Sequence, residues 1–237
     1  MPDFIHDQAH GLQRWALRPP TRVVSVVASE DGPLSLELLW SLEQGFTAQG
    51  FQVAVVEGLN GLRPQDAAMG HRAVLAHWLA EVPQGTVVLL HVPLNPLAVL
   101  LADSCARPLV AMSHNRSSVV QAYNAVKVLV QAAGLQPVVS AAAGDAASGW
   151  ASAVNALQET CQKQLGMTPA VWPLGYHDEH SANESSLQVA NLLKVLDSAL
   201  LLEESGTRND VELRFEPHQR QADQTVGVSD VHRQRHA

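Results

Sequence analysis

The stretch Arg22-Val23-Val24-Ser25-Val26-Val27-Ala28-Ser29-Glu30-Asp31-Gly32-Pro33-Leu34-Ser35-Leu36 reads as an apolar strand, a short polar loop and the opening of a helix. The run over 22–28 does not alternate between apolar and polar residues, so both of its faces need cover. That requirement implies a parallel sheet between layers of helices. The helix continues over 35–49, with Leu36, Leu39, Trp40 and Phe46 expected on one side and Gly50 as its stop. Residues 51–56 form the next apolar run.

The same rhythm fills the chain. Apolar runs of strand length recur at 86–92, 108–113, 137–142 and 170–174. Helical stretches separate them at 64–81, 95–105, 117–133 before Gly134, and 147–165 before Gly166, and a last helix is expected over 185–203. Strand, helix, strand order of this kind predicts a doubly wound α/β fold. It occupies one domain, 21–203, preceded by a segment at 1–20 and followed by a polar, disordered tail at 204–237.

Composition narrows the function. A formal charge of -8 gives no electrostatic footprint for a phosphate backbone and disfavours anionic membranes, so neither nucleic acid nor a lipid surface is an expected partner. Cys105 and Cys161 stand far apart without metal-like pairing, and the N-terminus lacks the regions of a signal peptide. A cytoplasmic location is expected, with peripheral contact at the inner membrane face as the outer limit. Of the 15 basic residues only Lys127, Lys163 and Lys194 are lysines, so none precedes Lys127.

That gap bears on the loop after the first strand, where ligands of open α/β sheets bind. A phosphate-binding loop needs glycines that free its N–H groups, a lysine, and a hydroxyl for magnesium. Here there is one glycine, a proline that removes a donor, and two carboxylates, Glu30 and Asp31. Such a loop repels a nucleotide.

Residues 23–57 nevertheless resemble the opening of the MinD/ParA-like deviant Walker A ATPases, whose loop reads G-K-G-G-V-G-K-T. Aligned without gaps, Ser29, Glu30, Asp31, Gly32, Pro33, Leu34, Ser35 and Leu36 occupy that loop. The resemblance places Glu30 at the signature lysine, Ser35 at the phosphate-binding lysine and Leu36 at the magnesium-binding hydroxyl. Glu57-Gly58-Leu59 stands at the family's D-A-D, and His91 at the aspartate ending its third strand. Ser117-Ser118, Ala122-Tyr123 and Lys127 resemble the family's T-S-x-x-x-A-Y-x-x-x-K, and Ser140 stands where an asparagine often reads adenine. A P-loop NTPase-like scaffold with a degenerate nucleotide site and no bound cofactor is what this implies.

The N-terminus, His6-Asp7-Gln8-Ala9-His10-Gly11-Leu12-Gln13-Arg14, resembles the D-Q-A-x-x-L-R motif of the FlhG (FleN) family of flagellar regulators. Asp7, Gln8, Ala9 and Leu12 match, and the arginine is displaced by one, to Arg14. In that family the segment is an activator helix that docks on the GTPase FlhF. The resemblance thus implies an FlhF-type GTPase as partner, with flagellar basal-body or transcription-regulator proteins as further ones. Asp7 can cap a helix on which Ile5, Ala9, Leu12 and Ala16 share a side, and Gln8, Leu12 and Trp15 form an adjoining ridge. A helix this short orders on a partner.

Other features invite functional readings. His177 and His180 form H-x-x-H but lack a convincing third ligand, so no metal is expected. His91 is expected near Ser29 and Ser35 as a hydrogen-bonded structural histidine, since no G-x-S-x-G elbow supplies a nucleophile. The last helix carries Val189, Leu192, Leu193, Leu196 and Leu200 on an apolar face beside a single Lys194, which favours packing onto the sheet over a membrane. The alternative to a pseudo-ATPase is a divergent active ATPase with nucleotide-dependent dimerisation, whose cation would have to come from Arg22 or Arg63.

Overall fold

Valine-rich runs do become the sheet. The computed structural model describes residues 20–29, 33–57, 70–141, 149–174 and 182–202. Their elements are β1 (Thr21–Ala28), α1 (Pro33–Ala48), β2 (Val53–Glu57), α2 (His71–Trp78), β3 (Val87–Pro93), α3 (Leu94–Leu101), β4 (Leu109–Met112), α4 (Arg116–Ala133), β5 (Val138–Ala141), α5 (Trp150–Leu165), β6 (Ala170–Pro173), α6 (Ala182–Asp197) and β7 (Leu200–Leu202). The strands form one sheet in the order β2-β3-β1-β4-β5-β6, all parallel, with β7 antiparallel to β1. This is an α/β fold with a mostly parallel central sheet.

Alternation along each strand divides the core into two layers. On one face Val23, Val27, Val88, Leu90, Val92, Val110, Met112 and Val139 pack against α2, α3, α4 and α5. On the other, Val24, Val26, Val87, Leu89, Leu109 and Val138 pack against α1 and α6. Each of these side chains contributes about 1.5–3 kcal/mol when fully buried. Cover on both faces accounts for the unbroken apolar character of the strands.

The helix stops follow the expected chemistry. Gly134 and Gly166 end α4 and α5 with φ of 64° and 70°, a left-handed conformation that favours glycine. At the other end of α4, Asn115 Oδ1 accepts the Ser118 N–H at 2.8 Å.

Several details differ from the sequence reading, beginning with the helix expected over 95–105, which ends at Leu101. The buried side of α1 is Ser35, Leu38, Leu39, Leu42 and Phe46, whereas Leu36 and Trp40 are half exposed. Leu38, Leu42 and Phe46 repeat every fourth residue and define the stripe; Leu36 and Trp40 are offset from it. Only His71–Trp78 of the expected helix over 64–81 is a described helix, and residues 58–69 lie outside the described set.

The last helix ends at Asp197, not 203. Ser198 N–H turns back to the Lys194 and Val195 carbonyls, and Leu200 enters β7 opposite Val23. The remaining apolar side of α6, Leu192, Val195 and Leu196, is buried on the sheet, leaving Leu193 half exposed. Gly45 of α1 is what lets that helix come so close: a Cβ there would stand 2.7 Å from a Leu192 methyl.

Candidate functional site

Three adjacent strands end side by side where the loop after β1 begins. Register pairs Glu57 of β2 with His91 of β3, and His91 with Val26 of β1. His91 shares its side of the sheet with Val87 and Leu89, the side that α1 covers. The first turn of α1 brings Ser35 to it: His91 Nε2 lies 3.1 Å from Ser35 Oγ. Ser35 Oγ also accepts the Ser29 backbone N–H at 3.1 Å and lies 3.2 Å from Ser29 Oγ. On the outer side, Glu57 Oε1 lies 3.8 Å from His91 Nδ1, with the imidazole 11% exposed and the carboxylate 62%.

Burial pushes the His91 pKa below its ordinary 6.5, and the Glu57 carboxylate opposes the shift without cancelling it. His91 is therefore neutral at neutral pH. In the unfolded chain it takes up a proton at about 6.5 while the folded protein resists until a lower pH. Stability should be level above that value and fall as pH drops from it toward the folded midpoint. Urea unfolding of His91→Gln against wild type over this range checks the sign: the variant should lose that part of the slope.

This arrangement sets Ser29 and Ser35, on either side of residues 30–32, against each other. The Ser29 N–H, which would face a phosphate in a binding loop, is taken by Ser35. Ser35 is 1% exposed, too enclosed to meet a substrate as a nucleophile despite its histidine. Arg22, one cation that an active ATPase could have recruited, instead donates from Nη1 to the Leu196 carbonyl at 2.8 Å. It sits at the far end of β1, about 20 Å from the loop at roughly 3.3 Å per residue.

No family model and no curated protein matches the chain.

Of the loop positions, then, Ser29 and Ser35 come together with His91, as the sequence led one to expect. Leu36 points outward on α1 and is 47% exposed. Ser140 is fully buried on β5, and among the described residues its hydroxyl has no hydrogen-bond partner. Glu30, Asp31, Gly32 and Arg63 lie outside the described residues, as do Asp7, Gln8, Ala9, Leu12, Arg14 and Trp15 of the N-terminal segment and His177 and His180. The member that sequence reasoning missed is Glu57. Its position at a strand end was visible, but its partner is 34 residues away and is set by the β2–β3 register. Among the described residues no helix is long and apolar enough to cross a membrane.

Proposed function

We propose that this chain is a flagellar regulator of the FlhG type that has given up ATP binding and acts through its N-terminal segment. Residues 7–14 dock as a helix on an FlhF-type GTPase near the nucleotide and stimulate GTP hydrolysis, with Gln8 and Arg14 making the polar contacts. Gln8 offers both a donor and an acceptor, enough to orient a water or a loop at the neighbouring site. Control of flagellar number or placement would follow in the cytoplasm, with any contact at the inner membrane face made through partners. Basal-body or transcription-regulator proteins are the further partners this role allows.

The observation that carries the reading is the D-Q-A-x-x-L segment standing immediately before an α/β domain whose phosphate-loop position holds Ser35 in place of a lysine. The internal hydrogen bonds of Ser29 and Ser35 and the remote position of Arg22 add support, because they leave an incoming phosphate few partners among the described residues. GTP turnover by the partner should rise when the full chain is added and fall back with Gln8→Ala. An ATP titration with magnesium should show no saturable binding. Unchanged GTP turnover would overturn the regulatory reading, and tight magnesium-dependent ATP binding would favour an active ATPase instead.

A further inference from the structure

The sheet has two edges, and the chain treats them differently. The strand order leaves β6 at one end and β2 at the other. An open edge is a row of backbone N–H and C=O groups ready to pair with another strand, and folds that stay single block it. β6 is blocked. Pro169 precedes it and Pro173 ends it, neither with an N–H to offer, and their carbonyls accept from Gln158 Nε2 at 3.3 Å and Asn191 Nδ2 at 2.9 Å.

β2 carries no such block within the strand. Its sequence is Val53-Ala54-Val55-Val56-Glu57, without proline or lysine. Val87 N–H donates to the Gln52 carbonyl at 2.8 Å, which turns the backbone groups of Gln52, Ala54 and Val56 toward β3. Because those groups alternate in direction along a strand, the N–H and C=O of Val53, Val55 and Glu57 face away from β3. Among the described residues no strand pairs with them, and the Val55 side chain is 37% exposed.

We propose that this edge is a docking surface for a second copy of the chain, the two β2 strands pairing antiparallel about a two-fold axis at Val55. The spacing is self-complementary. With Val55 opposite Val55 of the second copy, Val53 lies opposite Glu57 and Glu57 opposite Val53, so every outward N–H and C=O meets a partner. A foreign strand would have to match that register, whereas a second copy does so by symmetry. The two Val55 side chains share a face and touch across the axis. The two Glu57 carboxylates stay about 14 Å apart along the strands, beyond the Debye length of roughly 8 Å at physiological salt, and each faces a valine. One sheet then runs through both copies. Its formation needs no nucleotide and holds whether or not the chain binds a GTPase.

Sedimentation of the full chain without nucleotide, from micromolar to millimolar concentration, tests it. A species of twice the chain mass should grow with concentration; a monomer throughout would overturn the proposal. Val55→Pro removes an outward N–H and leaves the β2–β3 ladder its bonds, so it should abolish the dimer and keep the far-ultraviolet circular dichroism. Val55→Lys, a change at an exposed side chain, should do the same by setting two ammonium groups opposite each other. Mixing Val55→Lys with Val55→Glu chains isolates the register: each alone should be monomeric, and the mixture should dimerise. A dimer that survives both Val55→Pro and Val55→Lys, or a mixture that stays monomeric, would equally overturn it.

Discussion

Phe46→Ala should destabilise the domain by about 3–5 kcal/mol, the cost of emptying a fully enclosed aromatic site. Phe46 is 0% exposed, lies between α1 and the sheet, and meets Phe51 edge to face with ring centroids 6.2 Å apart. A domain of ordinary stability has about 5–15 kcal/mol in total, so the variant should unfold at a far lower urea concentration than wild type. Leu36→Ala supplies the contrast from the same helix. That side chain is half exposed, and its loss should change stability by no more than about 0.5 kcal/mol. Equal effects at the two positions would mean that the packed side of α1 is not the Leu38, Leu42 and Phe46 stripe.

The contrast also shows where sequence reasoning reached its limit. Six apolar runs marked six strands to within a residue or two, because a strand buried on both faces leaves an uninterrupted signature. Glycine marked the ends of α4 and α5 for an equally local reason, the left-handed backbone at Gly134 and Gly166. What failed was non-local. In α1 nearly every position apart from Glu37, Ser41, Glu43 and Gln44 could be drawn onto an apolar stripe, so periodicity alone did not separate Leu36 and Trp40 from Leu38 and Leu42.

The same holds at the C-terminal end of α6. Leu196 and Leu200 are four apart and continue a helical pattern on paper. In the structure β4 pairs with β1 only at Val26, which leaves the Thr21 to Val23 half of that edge open. Leu200–Leu202 fills it as β7, opposite Thr21, Arg22 and Val23. No residue near Leu200 announces a gap in a sheet edge formed 180 residues earlier in the chain. The Glu57 contact to His91 belongs to the same class, since the register that makes it is a property of two strands together. The meeting of His91 with Ser29 and Ser35 was legible because the strand ends of an open sheet converge on the loop after β1.

Trp15→Ala should then weaken the complex with an FlhF-type GTPase by about 30-fold in Kd, the scale of losing one anchor worth roughly 2 kcal/mol. Under the proposed function Leu12 and Trp15 are the apolar anchors of the activator segment, and tryptophan is the residue type most often found carrying such energy. Gln8→Ala should behave differently: a residue that acts on the bound nucleotide lowers GTP turnover at saturating regulator more than it lowers affinity. Titrating the GTPase with each variant and reading both half-saturation and maximal turnover separates the two roles. If Trp15→Ala and Gln8→Ala both left half-saturation and maximal turnover at wild-type values, the segment could not be the activator. If both lost affinity alone, it would dock without acting on the nucleotide, and stimulation would have to come from the α/β domain that follows it.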